Sequence, residues 1–377
     1  MHITTKLLIS LLLLPAISLA AQVAPPPALA VKAYVLEDFN SGHFIATYKN
    51  DARVEPASLT KIMTAYVTFN AIKNGHLKLE QILPVSEKAW KVEGSKMFID
   101  PKVAVSVDEL LHGMIIQSGN DASITLAIGV AGSEEQFADM MNKQAASLGM
   151  KNTHFMNATG LPDKAHYTTA SDLAALATAL IRDFPDEYKR LYSVKEYTYN
   201  KITQPNRNRL LWIDANVDGM KTGHTESAGY CLIASSKRGD SRLVSVVLGA
   251  ANEAMRATES QKLLNYGFQF YESTLVYKRA QAINNLRLYK GQDKTVATTV
   301  AKNLYLTLPK GDYARVKASM TSQQPLIAPI SAGQEIGKIT FSLDGKVINE
   351  QPLIAAKAVG EAGFFGRMID SVKLMVQ

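Results

Sequence analysis

The chain contains a single cysteine, Cys231, so no disulfide can form within it. That residue lies in the apolar run Tyr230-Cys231-Leu232-Ile233-Ala234 and reads as a buried strand thiol without chemistry of its own. The seven histidines show no metal-ligand spacing, so no metal and no other cofactor is expected. No stretch interleaves cations with aromatics. Despite a formal charge of +7, the basic residues are scattered and matched locally by acids, which excludes nucleic acid as the expected partner. A mildly basic surface suits an anionic membrane or polymer. Glycine, proline and charge show no excess, which excludes wholesale disorder. With 377 residues, 47% of them hydrophobic, the chain can bury a large core, and two domains are the natural expectation.

An apolar run long enough to span a bilayer is also lacking. Leu7 to Ala20 is too short, and with Lys6 before it and Ser18-Leu19-Ala20 at its end, residues 1–20 read as a cleaved export signal. The mature chain would begin at Ala21 and work outside the cytoplasm, after an Ala- and Pro-rich linker over 21–30.

Val31 to Phe39 and Phe44 to Tyr48, parted by Asn40-Ser41-Gly42, predict a strand pair. Helical periodicity follows from Ile62 to Ile72, and again over Val107 to Ile116, where Ser106 and Glu109 form a capping box. Further helices are predicted at Glu134 to Leu148 and Ala170 to Arg182. The texture then changes. Leu210-Leu211-Trp212, Val217 to His224, Gly229 to Ser235 and Leu243 to Gly249 read as short strands, closed by a helix from Ala254 to Tyr271. A sheet with helices on its faces, interrupted by an all-helical insertion, accounts for residues 31–274 and makes the fold class α/β.

Three stretches are candidates for chemistry. In Pro56-Ala57-Ser58-Leu59-Thr60-Lys61, the serine falls near a helix N-terminus and Lys61 projects from the same face, where a neutral amine could take the hydroxyl proton. Alone, the same residues also read as an N-cap and a surface cation. Ser118 and Asn120 occupy a helix-to-helix turn, Gln117-Ser118-Gly119-Asn120-Asp121, as site residues or simply as turn formers. Lys221-Thr222-Gly223 lies in a predicted strand, with Lys221 and Gly223 on one side, either receiving an extended peptide and its carboxylate or forming a surface lysine before a turn. Asp172, in the first turn of its helix, either complements the helix dipole or fixes a loop.

Together, Ser58-x-x-Lys61, Ser118-Gly119-Asn120 and Lys221-Thr222-Gly223 occur in the order found in penicillin-binding proteins and serine β-lactamases. The chain resembles the low-molecular-mass penicillin-binding proteins, specifically the D-alanyl-D-alanine carboxypeptidases with a C-terminal β-domain (peptidase family S11 type). Asn152-Thr153-His154-Phe155, Asn206-Arg207-Asn208, Asn216 to Gly229 and Phe364-Phe365-Gly366 extend the likeness along the mature chain. The resemblance implies a β-lactamase/transpeptidase-like fold and makes Ser58 the nucleophile on D-Ala-D-Ala and Lys61 its base. Ser118 and Lys221 would relay a proton to the leaving amine, while Asn120 would hold Lys61 and the substrate amide. The backbone N–H groups of Ser58 and His224 would form the oxyanion hole beside Gly223. Thr222, assisted by Arg207, would bind the substrate carboxylate, Asp172 would organise a nearby loop, and Arg256 would support the site. Where many relatives carry a histidine before Gly-Leu, this chain has Thr159-Gly160-Leu161, so that histidine's role does not transfer.

The resemblance further implies β-lactams as covalent inhibitors. A class A β-lactamase would need a Glu-x-x-Leu-Asn setting, which Glu134, Glu135 and Glu187 lack. A DD-endopeptidase, which shares the three motifs, and a catalytically silent wall-binding module are the other readings. From Leu275, strand-like alternation predicts a small all-β domain over 275–358, with a hairpin at Asp344-Gly345. Residues 359–377 carry Phe364, Phe365, Met368, Ile369, Val372, Met375 and Val376 on one helical face. At 1.5 Å per residue, Phe364 to Gln377 would extend only roughly 21 Å, short of a spanning helix. It suits a peripheral anchor on the periplasmic face of the inner membrane, or a helix packed on the β-domain.

Overall fold

Strands β1 (Ala33–Asp38) and β2 (Phe44–Tyr48) pair antiparallel around Gly42, whose φ of +74° favours glycine. Three later strands, β3 (Val217–Thr225), β4 (Gly229–Arg238) and β5 (Ser241–Ala250), join them in an antiparallel sheet of order β2-β1-β5-β4-β3. The computed structural model describes residues 24–375, so the expected export signal, the first linker residues, Val376 and Gln377 lie outside it.

Both faces of this sheet are covered, and side chains divide by simple alternation. Ala33 and Val35 on β1 and Cys231 and Ile233 on β4 enter one core, while Tyr34, Leu36, Leu232 and Ala234 enter the other. That is why these strands read as continuous apolar runs. Helix α1 (Thr60–Lys73) is buried continuously from Thr60 to Phe69, so it has no polar face there. Around it lie α2 (Val107–Ile116), α3 (Asn120–Ala131), α4 (Glu134–Ser147) and α5 (Ala170–Asp183). The capping box of Ser106 and Glu109 opens α2 as expected. On the opposite face α6 (Glu253–Phe270) contributes Ala257, Leu263, Leu264 and Tyr266.

One expected strand is absent. Leu210-Leu211-Trp212 belongs to a helical turn, Leu210–Ile213, because Asn206 Oδ1 and Asn208 Oδ1 accept the N–H groups of Asn208 (2.9 Å) and Leu210 (3.2 Å). Side-chain acceptors bend the backbone there before a strand can form. The linker is not free either. Tyr266 Oη donates to Ala24 O (2.9 Å), and Leu29 packs on the core beneath α6.

The C-terminal domain begins at β6 (Tyr271–Tyr277), inside the expected 31–274 unit, and β6 pairs with β9 (Leu304–Pro309). A six-stranded sheet contains β7 (Asn284–Tyr289), β8 (Thr295–Thr299), β10 (Val316–Ser322), β11 (Leu326–Ile327), β12 (Glu335–Leu343) and β13 (Lys346–Ala355). Asp344 and Gly345, with φ of +51° and +83°, form the expected turn between β12 and β13. At the domain seam Asp38 Oδ1 accepts from Ser41 Oγ (2.9 Å) and Ser273 Oγ (3.0 Å), and Ser41 Oγ lies 2.6 Å from Thr307 Oγ1. Helix α7 (Phe364–Met375) leaves Phe364, Phe365, Met368, Ile369, Val372 and Met375 exposed rather than packing them on the β-domain. Among the described residues no helix is long and apolar enough to cross a membrane.

Candidate active site

Ser58 sits in a 3-10 turn, Ala57–Leu59, that runs directly into α1. One turn along, Lys61 is fully buried and its Nζ lies 2.9 Å from Ser58 Oγ. The same nitrogen donates to Asn120 Oδ1 (2.7 Å) and to Thr159 O (2.6 Å). Asn120 Nδ2 donates to Glu93 O (2.6 Å), which fixes the amide so that its oxygen faces the lysine. A neutral amine has two N–H bonds and one lone pair. The two carbonyl oxygens can only accept, so they take both N–H bonds, and the lone pair is left facing the serine hydroxyl.

The electrostatics favour that neutral form. Burial drives the Lys61 ammonium down to about 7, the Arg207 charge adds to this, and the Asp121 carboxylate opposes it. Arg207 is the principal cation acting on Lys61. Lys221 is itself held well below the usual lysine range, by burial first and then by Lys61, Arg207 and Arg256. Its Nζ donates to Ser118 Oγ (2.9 Å) and Thr222 O (3.1 Å). One alcohol and two amines, far apart in the chain, thus form two adjoining hydrogen-bonded pairs.

The remaining expected residues divide into two groups. Arg207 donates from Nε to Gln117 O (3.1 Å), and Arg256 reaches Arg207 O (3.4 Å), so both brace the turn that carries Ser118. β3 is the sheet edge on this side. A side chain at Gly223 would lie 3.2 Å from Pro56 O and 3.3 Å from Ala57 Cβ, so the bare backbone lets the edge strand pack against the Ser58 turn. His224 turns its ring outward against Tyr230, with centroids 4.0 Å apart. Asp172 stands apart, since its carboxylate accepts from Asn152 N (2.8 Å) and Thr153 Oγ1 (2.7 Å) and from none of the other expected site residues. It fixes a loop rather than lining the cleft. Among the described residues no three of His, Cys, Asp or Glu gather as a metal would require.

Several contributors escaped sequence reasoning. Thr159 and Glu93 act through backbone carbonyls, which side-chain patterns do not reveal. Asp121, buried beside Asn120, accepts the N–H groups of Met97 (2.8 Å), Phe98 (2.8 Å) and Ile99 (3.3 Å), clamping that segment to the Ser118 turn. A carboxylate between apolar helices was the available signal. The 158–166 segment is pinned to α1 by Thr64 Oγ1 donating to Ala158 O (2.7 Å) and by His166 Nε2, 3.0 Å from Thr60 Oγ1. Gly160 is required at its position, since a Cβ there would fall 1.8 Å from Ala57 O and its φ is +83°.

With this geometry established, comparison places the chain among known proteins. The family model described as D-alanyl-D-alanine carboxypeptidase matches residues 20–252, and that of the penicillin-binding protein 5 C-terminal domain matches 271–361. D-alanyl-D-alanine carboxypeptidase DacC of Escherichia coli K12 is 45% identical over 363 residues, covering 94% of this chain and 90% of that protein. The crystal structure of penicillin binding protein 5 from Haemophilus influenzae superposes with a TM-score of 0.87 at 42% identity, covering 90% of this chain and 100% of that one. Penicillin-binding protein D2 from Listeria monocytogenes, solved in the ampicillin-bound form, gives a TM-score of 0.60 at 32% identity over 65% of this chain and 100% of that one.

Three outcomes are expected. Because only the free amine is a base, the second-order rate of Ser58 acylation by a labelled penicillin should rise with pH through about 7 and then level. Lys61→Ala should lower the plateau by roughly 10²–10⁴-fold. Gly160→Ala should cost about 2–4 kcal/mol in urea unfolding and slow acylation as well, since Thr159 must move with it.

Proposed function

The chain belongs to the peptidase S11 family of D-alanyl-D-alanine carboxypeptidases, and from that premise we propose that it removes the terminal D-alanine of peptidoglycan pentapeptides through a Ser58 acyl-enzyme. The observation that carries this reading is the Lys61 amine, buried, tied by both N–H bonds and facing the Ser58 hydroxyl at 2.9 Å. As Ser58 Oγ attacks the penultimate carbonyl, its proton passes to Lys61 and the C–O bond forms. The backbone N–H groups of Ser58 and His224 receive the developing oxyanion. Ser118, backed by Lys221, passes a proton to the nitrogen of the departing D-alanine as the C–N bond breaks. Water then cleaves the ester, releasing the tetrapeptide. Thr222 and Arg207 hold the free carboxylate that distinguishes a carboxypeptidase substrate, while Gly223 lets the peptide lie close to the β3 edge.

A β-lactam presents its carboxylate and strained amide to the same groups and acylates Ser58. Its release is slow, because the buried Glu134 carboxylate is not free to activate water. Glu134, on the nearby segment, is already engaged by Ala158 N (3.1 Å) and Lys88 Nζ (2.7 Å). That favours a carboxypeptidase over a β-lactamase. The exported enzyme is held at the periplasmic membrane surface by the exposed apolar face of α7, inserted between headgroups. Complete retention of both amines and both alcohols argues against a silent binding module.

Labelled penicillin should stay covalently attached to the wild type and not to Ser58→Ala, and rapid release of ring-opened drug would instead identify a β-lactamase. A pentapeptide should release D-alanine while its C-terminally amidated analogue does not; cleavage of cross-linked dimers alone would favour an endopeptidase. Removing residues 361–377 should yield an active enzyme that no longer sediments with anionic vesicles, and continued sedimentation would place the anchor elsewhere.

A further inference from the structure

Glu55 lies outside the catalytic cluster, yet it ties together the two chain segments that carry it. It stands three residues before Ser58, and its carboxylate reaches the turn that follows β3, where Oε2 accepts from Thr225 Oγ1 (3.2 Å) and from Ser227 Oγ. Thr225 is the residue after His224, and its Oγ1 also accepts from Ala228 N (3.0 Å). The turn between β3 and β4 therefore closes on the group that Glu55 holds. The other end of the tie is fixed as well, since Val54 and Thr168 exchange both backbone hydrogen bonds at 2.9 Å. A separate grip on the same turn comes from Lys32, just before β1, whose Nζ donates to Ser227 O (2.6 Å).

The run of β3 shows what this tie controls. In a strand the N–H and C=O of one residue point to the same side, and the residue two further on repeats that direction. Thr222 O is taken by Lys221 Nζ (3.1 Å), the nitrogen that also holds Ser118, so it faces the open edge of the sheet rather than β4. The His224 N–H faces that same edge, on the strand that Gly223 lets settle on the Ser58 turn. We propose that Glu55 is a positioning residue for the oxyanion hole, clasping the strand end that bears the His224 N–H to the chain that bears the Ser58 N–H and so setting the gap between the two donors. Widening that gap weakens a hydrogen bond to the oxygen that gains charge in the transition state, while the contacts that bind the substrate beforehand stay in place.

The proposal rests on the acyl-enzyme reading, and the test separates the two. The full chain is acylated with a penicillin isotope-labelled at its β-lactam carbonyl, and three quantities are read: the dissociation constant of the non-covalent complex, the first-order rate of acylation, and the infrared stretch of the acyl carbonyl. Glu55→Ala should slow acylation about 10–100-fold with the dissociation constant held within about twofold, and should raise the stretch toward that of the unfolded acyl-enzyme. Glu55→Gln keeps an acceptor and should restore the stretch and most of the rate. Lys32→Met loosens the turn without cutting the tie and should leave the stretch unchanged. Thr225→Val with Ser227→Ala removes the same two hydrogen bonds from the other side and should reproduce the shift, so the test stands even where Glu55→Ala does not fold. An unshifted stretch in both of these variants would overturn the clasp. So would a loss in Glu55→Gln as large as that in Glu55→Ala, which assigns the effect to charge, or an equal shift in Lys32→Met, which assigns it to a loosened turn. No covalent adduct on the wild type would overturn the acyl-enzyme reading as well.

Discussion

A buried lysine whose ammonium form is disfavoured organises this catalytic domain. Lys61 lies in the most enclosed helix of the fold, and burial of its ammonium is the largest cause of its lowered pKa. Such a group is tolerated only where its hydrogen-bonding capacity is met. Asn120 comes from the start of a second helix, Thr159 from an irregular segment, and Ser58 from the turn before the helix itself. Each of these must in turn be held. Glu93 fixes the amide of Asn120, Asp121 fixes the segment after Glu93, and Thr64 and His166 fix the segment around Thr159. Much of the polar network in the helical part therefore leads back to one nitrogen.

The sheet supplies the other half of the cleft by ending where it does. β3 is an edge, and Gly223 lets that edge settle on the Ser58 turn without displacing Ala57. Lys221 is delivered from this strand to Ser118, across the gap between sheet and helices. Three cations, Lys61, Lys221 and Arg207, are thereby drawn together, and their mutual repulsion adds to the desolvation of the two lysines. The arrangement favours amines with free lone pairs over a compact cluster of full positive charges.

The architecture was legible wherever local pattern and tertiary need agreed. The strand pair around Gly42, the capping box at Ser106 and the Asp344-Gly345 hairpin use turn and cap chemistry confined to a few residues, and each stands where the pattern placed it. Leu210 to Trp212 was misread as a strand because three apolar residues carry no period, and two asparagine side chains decided the geometry. In the cleft, the residues that come together were readable because Ser58 with Lys61, and Ser118 with Lys221, pair through their own side chains. Thr159 and Glu93 were not, because any residue offers a carbonyl. Asp172 read either as a complement to the helix dipole or as a loop-fixing ligand, and its contacts with Asn152 and Thr153 depend on long-range packing that no local window contains.

Cys231 stands in β4, beside the edge strand β3, facing the core shared with α1. Burial pushes its thiol up to about 11, so at neutral pH almost none of it is thiolate, the form that oxidants and disulfides attack. With no second cysteine in the sequence, no bridge can close within the chain. It can pass from a reducing medium to an oxidising one without mispairing disulfides within the chain or needing an isomerase to sort them.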